Sequence, residues 1–396
     1  MESRRARLPL TVLALGATSL FNDIASEMVF PLLPGFLAVL GAGPAFLGLL
    51  EGVADAVSAF LKYLAGQRAD VRGRKGLVLF GYGLTTVVRP LLALVAAPWQ
   101  VLAIRATDRM GKGLRTAPRD ALLASAVPAS DTGRAFGFHR AMDHTGAVVG
   151  PLLATALLFF GVSVRTVFAL TLVPGLLVVA SLLLVKEPPL PASSAPTASA
   201  ASAPMPARLK HLLGLFFFFA LANSSDAFLL LRAREVGTEE KWLPVLWLLL
   251  HLSKVFWTMR AGAWSDRMPR HRLVLAGWAV YAGCYALLAL SVAAWQVWLV
   301  VVAYGAFAGL TEPVEKAMVK DLAPETARGR AFGLYHGLLG AAAIPAGLLT
   351  GALWQAFGAA AALFTGAAVA AVSSVGLLLW ARRDGAQSGG PARADG

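Results

Sequence analysis

The chain is poor in charge and has almost no cysteine. Charged residues make up 14% of its 396 residues, and Cys284 is its single cysteine. One thiol cannot form a disulfide framework or a paired-thiol metal site, and so low a charge content is unusual in soluble domains. The chain is instead rich in apolar residues. They make up 57% of it, and its mean hydropathy is +0.67. These properties indicate a membrane protein.

Motifs of enzymes and of nucleic-acid-binding proteins are also absent from the sequence. There is no P-loop, which argues against direct use of ATP, and neither H-E-x-x-H nor a paired C-x-x-C is present to hold a metal. Lys and Arg number 35 against 22 Asp and Glu, but they are spread over loops beside apolar runs and do not form one basic stripe. We therefore expect no enzyme activity, no cofactor, no metal site and no nucleic-acid partner.

Twelve apolar stretches approach the length of about 20 residues that crosses a bilayer core. The first could be a secretory signal, but Asn22, Asp23 and Glu27 stand where a small-residue cleavage site is needed. The sequence therefore predicts an all-α polytopic membrane protein. Its helices 1 to 12 are placed at roughly 10–36, 45–65, 76–97, 99–122, 135–160, 164–185, 211–233, 243–263, 273–292, 295–318, 330–353 and 357–380.

A stretch rich in Pro, Ala and Ser, KEPPLPASSAPTASAASAPMPARLK, separates helix 6 from helix 7. Such a composition cannot bury a core and is typical of a linker. We expect an N-terminal six-helix bundle at 1–187, a cytoplasmic linker at 188–208, a C-terminal six-helix bundle at 209–383 and a disordered cytoplasmic tail at 384–396.

Lys and Arg are concentrated in alternate loops, which predicts that both termini are cytoplasmic in an inner (plasma) membrane. The predicted opposite loops hold little beyond Arg165, Arg232, Arg234 and Lys241. The predicted cytoplasmic side takes Arg4, Arg5, Arg7, Arg68, Arg72, Arg74, Lys75, Arg115, Arg119, Arg134, Lys186, Arg208, Lys210, Arg267, Arg270, Arg272, Lys320, Arg328, Arg330, Arg382 and Arg383.

Two stretches recur 196 residues later in the chain. GQRADVRGRK at 66–75 is followed by GAWSDRMPRH at 262–271, and GRAFG at 133–137 is repeated at 329–333. Because both pairs share one offset, the halves are predicted to be parallel structural repeats of six helices each.

The first of these stretches resembles the loop motif G-x-x-x-D-[RK]-x-G-R-[RK] of the major facilitator superfamily. The matching residues are Gly66, Asp70, Gly73, Arg74 and Lys75, and in the second copy Gly262, Asp266, Arg267 and Arg270. Val71 and Pro269 depart from the pattern. The resemblance implies two pseudo-symmetric bundles and an aspartate that latches them on the cytoplasmic side, facing the positive end of a helix. A plain positive-inside anchor is the alternative.

Helix 5 carries a second sequence feature, Gly146-x-x-x-Gly150-Pro151. It resembles the G-x-x-x-G-P motif of drug/proton antiporters in the same superfamily. The alternative is structural, because small residues four apart allow close helix packing and proline kinks a helix.

Polar residues inside the predicted helices mark a path through the bundle. A charge at mid-bilayer costs about 2.5–3.5 kcal/mol, so the stripe on helix 4 must avoid lipid. Arg89 on helix 3 is expected to snorkel or to brace the bundle. The polar residues predicted to face the path are Asn22, Asp23, Ser26, Glu27, Glu51, Asp55, Ser58, Lys62, Arg105, Asp108, Arg109, Lys112, Arg140, Asp143, His144, Asn223, Asp226, His251, Lys254, Thr258, Tyr304, Thr311, Glu312, Glu315 and Lys316.

Acids along this path are candidates for proton coupling, because hydration and pairing control the pKa of a carboxyl group. Asp23 and Glu27 are the first candidates, Asp108, Asp143 and Asp226 come next, and Arg109 is the expected partner. Alternatively, these acids and bases neutralise one another and fix the packing. Asp55, Arg105, Lys112, His251 and Glu312 complete the predicted cavity set.

The resemblance implies a secondary active transporter that works by alternating access. We expect proton-coupled efflux of a small organic solute by a monomer surrounded by lipid. Two alternatives remain open: a proton symporter that imports an organic anion, and a transporter-like sensor or scaffold. The basic residues suit an anionic or zwitterionic solute, although the nearby acids could cancel that field, and Trp247, Tyr304 and Tyr335 could stack on a ring or simply pack.

Overall fold

A computed structural model describes residues 8–69, 74–128, 131–187, 205–265, 267–324 and 328–388. Within these ranges the chain is helical and contains no β-strand. The motif residues Asp70, Gly73 and Asp266 lie outside them, as do most of the predicted linker and part of the predicted tail. The all-α fold predicted from composition is confirmed.

The twelve predicted helices are all found among the described residues. In the described part of the chain, nine stretches are long and apolar enough to cross a membrane, and one of them, Arg330–Arg382, contains both helix 11 and helix 12. Helices 1 and 4, which are richer in polar residues, complete the set. In order, the elements are Leu10–Glu27 with Leu33–Val39, Pro44–Ala69, Lys75–Val88, Pro98–Ser125, Thr132–Phe159, Val164–Leu170 with Leu172–Leu183, Ala207–Ala220 with Ala227–Glu235, Leu243–Ser265, Arg270–Leu290, Ala294–Leu322 and Arg328–Ser388.

Helices 11 and 12 meet at Gly358 inside the last element, Arg328–Ser388. The backbone there has φ 85° and ψ 170°. Glycine adopts such a positive φ without a steric penalty, so it can end one helix and start the next without a loop.

Helix 7 departs from the prediction, which made it continuous over 211–233. It is interrupted between Ala220 and Ala227. The Tyr281 hydroxyl donates to the carbonyl of Ala222 at 2.6 Å, and Ser225 Oγ accepts from the amide of Ala227 at 3.2 Å. Side chains thus satisfy backbone groups that the break releases, as is required for non-helical backbone at membrane depth.

The two halves repeat each other in contacts as well as in sequence. Arg74 Nη1 donates to the carbonyl of Ala121 at 3.4 Å, and Arg270 Nη1 donates to that of Ala317 at 3.3 Å. Both residues of the second pair lie 196 positions after those of the first. Equivalent side chains therefore make equivalent bonds, and the chain has the predicted fold of two pseudo-symmetric six-helix bundles.

The halves meet along helices 2 and 11 and along helices 5 and 8. At one end, which we call the closed end, a Cβ on Gly48 would lie 1.9 Å from the carbonyl oxygen of Gly347. Phe159 and Trp242 pack edge to face there, with ring centroids 5.1 Å apart. Glycine lets the backbones of helices 2 and 11 touch, so the two bundles are sealed at this end.

Replacing Gly48 with alanine should force the closed end apart. The added Cβ meets backbone, which cannot yield as a side chain can, and overpacking costs about 1–3 kcal/mol. In a Cys284→Ser background, we expect bis-maleimide cross-linking of Ala45→Cys to Gln355→Cys to fall about tenfold. Gly83→Ala is the matched control, because a Cβ on Gly83 would meet nothing within 4 Å. Equal cross-linking in both variants would contradict the sealed contact.

Candidate functional site

A cavity of about 2070 Å³ lies between the two halves. It reaches the end opposite the closed end, where Arg119, Asp120 and Arg330 line its mouth, and we call this the open end. All eleven residues predicted for the cavity lie in its wall: Asp23, Glu27, Asp55, Arg105, Asp108, Arg109, Lys112, Asp143, Asp226, His251 and Glu312. The part each one takes in function stays a prediction.

Four of the lining charges form a buried network within the first half. Arg105 donates to both oxygens of Glu51, at 3.1 Å from Nε and 3.3 Å from Nη2. Asp108 accepts from Arg89 Nε at 2.7 Å and lies 3.8 Å from Arg105. All four side chains are at most 8% exposed. Arg89 therefore braces the bundle, and Arg105 and Asp108 are neutralised by neighbours on helices 2 and 3.

The position of Arg115 differs from the prediction, which counted it among the basic residues of the cytoplasmic side. Helix 4 continues to Ser125, and Arg115 is buried inside the bundle. Its Nη2 donates to Asn22 Oδ1 at 3.1 Å, and its guanidinium lies 4.2 Å from the ring centre of Tyr82. The position could have been recognised, because Arg115 continues the polar stripe three residues after Lys112.

Helix 5 packs directly on helix 1 at the two leading acids. A Cβ on Gly146 would lie 2.8 Å from Cβ of Asp23, and one on Gly150 would lie 2.9 Å from Cβ of Glu27. Pro151 follows without ending the helix. The glycine motif therefore has the packing role that its spacing allows, and this packing is located at Asp23 and Glu27.

Asp23 and Glu27 have neutral hydrogen-bond donors in this conformation. Asn22 Nδ2 donates to Asp23 Oδ1 at 3.0 Å, and Trp247 Nε1 donates to Glu27 Oε2 at 2.5 Å. Among the residues described, neither acid has a basic side chain within 4.0 Å. The bond from Trp247 crosses from helix 8 of one half to helix 1 of the other. The predicted pairing of these acids with Arg109 is not present in this state.

The other candidate acids divide into paired and unpaired groups. Asp143 accepts from Ser19 on helix 1 and lies 3.4 Å from Arg140, and Asp226 accepts from Lys254 Nζ at 2.5 Å. Within the described ranges, Asp55 and Glu312 have no basic partner within 4.0 Å. Asp55 and Glu312 thus remain available to water or to a solute in the cavity, whereas Nε2 of His251 is buried without a hydrogen-bond partner among the described residues.

Two aromatic residues named from the sequence lie in the wall, and the third lies behind it. Trp247 and Tyr304 line the cavity. Tyr335 is buried against helix 10, where its hydroxyl donates to Glu315 Oε2 at 2.9 Å. Tyr335 and Glu315 therefore fix the packing of helices 10 and 11.

The loop motif is only partly described. Glu187 accepts from the amide of Arg74 at 2.6 Å and from that of Lys75 at 3.3 Å, which satisfies the start of helix 3. Arg270 of the second copy bonds Asp321. Gly66 and Gly262 lie on helices 2 and 8, and Arg267 follows helix 8. Because Asp70, Gly73 and Asp266 are outside the described residues, the predicted latch stays a prediction.

Comparison with known families agrees with the repeated fold. The model of the Major Facilitator Superfamily matches residues 15–261 and 242–396. The chain belongs to this superfamily. It is accordingly a multi-pass membrane protein of a family of small-solute transporters, and the resemblance of its loop motif is confirmed at the level of the family.

Two relatives with similar sequences cover most of the chain, and a third covers less than half of it. An MFS-type transporter of Methanocaldococcus jannaschii is 32% identical over 356 residues, which is 88% of this chain and 89% of the relative. A protein of Mycobacterium tuberculosis is 28% identical over 87% of this chain and 86% of its own length. Multidrug resistance protein MdtG of Serratia proteamaculans is 32% identical over 172 residues, or 41% of each protein.

Solved structures show the same fold at low sequence identity. The nucleoside transporter NupG has a TM-score of 0.77 at 13% identity and covers 94% of this chain and 99% of that one. A POT family transporter has a TM-score of 0.76 at 14% identity and covers 96% and 99%. At these identities the likeness extends to the fold alone.

Proposed function

We propose that the chain is a secondary active transporter that exports a small organic solute in exchange for protons by alternating access. The observation that carries the proposal is the polar cavity between two repeated bundles, which is closed at one end by touching backbones and open at the other. Rocking of one repeat against the other exposes such a site alternately to each side of a membrane.

The bond between Trp247 and Glu27 supports coupling to protons. It joins the halves beside the closed end, so it must break when that end opens. Opening of that end therefore changes the hydrogen-bond partners of the Glu27 carboxyl group. A carboxyl group with this property can take up a proton on one side and release it on the other.

Orientation and direction rest on two further arguments. The open end lies on the side of the basic motif loops, which the positive-inside rule assigns to the cytoplasm. The cavity then faces inward, with both termini cytoplasmic in an inner (plasma) membrane. Export is favoured by the multidrug resistance relatives, which cover 33–41% of the chain. We further propose a monomer in lipid, with bundles at 1–187 and 209–383, the linker at 188–208 and the tail at 384–396.

Proteoliposomes that enclose a pH-sensitive dye test this function. We expect the addition of a transported organic solute to alkalinise the interior, because each entering solute exchanges for protons that leave. Liposomes without protein are the control for passive leak. Acidification during solute entry would instead indicate the importing symporter, and solute entry without any proton movement would contradict coupling.

A further inference from the structure

The basic residues in the cavity wall fall into two groups. Arg89, Arg105, Arg119, Arg140 and Lys254 have carboxylate partners within 4.0 Å, and Arg115 bonds Asn22. Among the described residues, Lys62, Arg109, Lys112 and Lys316 have none, although all four line the cavity. We call these four residues the cation cluster. Lys62, Lys112 and Lys316 are exposed to the cavity, and Arg109 is half-buried.

Helix packing brings Lys62, Arg109 and Lys112 of the cation cluster together. A Cβ on Gly113 would lie 3.3 Å from the amide nitrogen of Lys62, so helix 4 touches helix 2 beside Lys112. Arg109 lies on the same face of helix 4, one turn before Lys112. Helix 11 of the other half touches helix 2 as well, because a Cβ on Gly340 would lie 2.5 Å from Cβ of Ala59, one turn from Lys62. Helices 2, 4 and 11 thus approach closely on the side of the open end.

Arg109 has an unsatisfied donor in this arrangement. Its Nε is buried and has no hydrogen-bond partner among the described residues. A buried donor of a charged group without an acceptor is costly, and such exceptions in a native fold call for an explanation. An acceptor that enters with a ligand would remove the cost.

The second half of the chain shows that the same contact between helices forms without basic side chains. Residues 196 positions after Lys62, Arg109 and Lys112 are Thr258, Gly305 and Ala308. The helix contact itself is kept, because a Cβ on Gly309 would lie 2.7 Å from the amide of Thr258, just as Gly113 meets Lys62. The same packing is therefore made without basic residues, so packing does not explain the presence of Lys62, Arg109 and Lys112.

Acids in the same wall do not neutralise the cluster by direct contact. Asp23, Asp55 and Glu312 line the cavity, and in the described part of the chain none of them lies within 4.0 Å of Lys62, Arg109, Lys112 or Lys316. Cations held together without counter-ions repel one another. An anion placed among them would relieve this repulsion.

We propose that the cation cluster binds the carboxylate or phosphate group of a soluble organic anion, which is the class of solute carried. This assignment rests on the proposed function and names its substrate class. Arginine and lysine bind such oxyanions with charge-assisted hydrogen bonds. Phe60, which lines the cavity and is 63% exposed, offers apolar surface to the body of the same molecule.

Equilibrium binding to purified protein in phosphatidylcholine nanodiscs tests the proposal. The probes are 1-naphthyl phosphate, 1-naphthoate, 1-naphthol and 1-naphthylmethylamine, which share a ring system and differ in charge, and titration calorimetry measures their Kd. We expect the two anions to bind at least about tenfold more tightly than the neutral and cationic probes, since hydrogen bonds to charged groups are strong. Added salt should weaken only the anions.

Variants identify the residues responsible for anion binding. Lys112→Gln and Arg109→Gln should each weaken 1-naphthyl phosphate about tenfold or more and leave 1-naphthol unchanged. Lys210→Gln removes an exposed cation outside the cavity and should have no effect. Equal affinity for the neutral probe, or unchanged phosphate binding in both cavity variants, would overturn the proposal.

A change of lipid composition tests whether the ligand of the cation cluster is a soluble anion or a lipid headgroup. Replacing part of the phosphatidylcholine with phosphatidylglycerol should leave the affinity for 1-naphthyl phosphate unchanged. Displacement of the probe by phosphatidylglycerol would assign the cluster to a lipid and overturn the solute assignment. The binding measurement uses no proton gradient. Selective anion binding by a protein that moves no protons would therefore contradict the proposed coupling but not the anion site.

Discussion

Replacing Asp108 with alanine is expected to lower the free energy of unfolding by about 3–5 kcal/mol, because it leaves the buried charge of Arg89 without a carboxylate partner. Asp108 accepts from Arg89 at 2.7 Å and lies 3.8 Å from Arg105, and its side chain is 7% exposed. Its removal leaves the 7%-exposed side chain of Arg89 without a carboxylate, whereas Arg105 keeps its bonds to Glu51. Unfolding in detergent micelles by added dodecyl sulfate, followed by tryptophan fluorescence, measures the change.

Asp120→Ala is the matched control for this prediction. Asp120 lies on the same helix and bonds Arg119 at 2.8 Å, but its side chain is 41% exposed. An exposed ion pair contributes about 0–1 kcal/mol, so this variant should stay close to the wild type. Equal losses in the two variants would mean that burial does not set the strength of the Asp108 network.

The sequence was sufficient to predict the fold and eleven residues of the cavity wall, but Ser58, Thr258, Thr311 and Glu315, which were also expected to face the path, do not line the cavity. Apolar length placed twelve helices, and the shared 196-residue offset predicted the two halves. The polar face of helix 4 followed from helical periodicity, since Arg105, Asp108, Arg109 and Lys112 could not face lipid. Each of these predictions depends on local spacing or on repetition, and a single sequence contains both.

The pairing of charges within that wall could not be predicted. Asp108 has basic residues on its own helix, yet it bonds Arg89 of helix 3, while Arg105 is matched to Glu51 of helix 2. Partner choice depends on distances between neighbouring helices, which the sequence of one helix does not contain. For the same reason Arg109 was expected to pair with an acid, although none lies within 4.0 Å of it in the described structure.

The helix 5 motif illustrates how a packing role and a functional role can coincide. From the spacing of its glycines alone, the motif could be explained either by close helix packing or by a role in antiport. The backbone contacts of Gly146 and Gly150 reach helix 1 at Asp23 and Glu27. A motif that only packs helices would still fix the position of these acids, so the two interpretations do not exclude each other.

Glu27→Gln is expected to abolish proton-driven accumulation of solute while exchange without a gradient continues. One pH unit is equivalent to about 1.4 kcal/mol, so a one-proton exchanger can accumulate solute about tenfold per unit, and the variant should accumulate none. Glutamine keeps an oxygen that can accept from Trp247 Nε1, so the bond between the halves is preserved. Accumulation of labelled solute in proteoliposomes under a pH gradient is the measurement.

Two companion variants make this prediction specific to titration at Glu27. Glu27→Asp retains a carboxyl group and should retain part of the accumulation. Glu239→Gln removes a 66%-exposed acid that pairs with Lys241 outside the cavity, and it should accumulate solute like the wild type. If Glu27→Gln still concentrates solute tenfold, the titrating group must lie elsewhere. Asp23 would then be the next acid to test, because it too lines the cavity without a basic partner in the described residues.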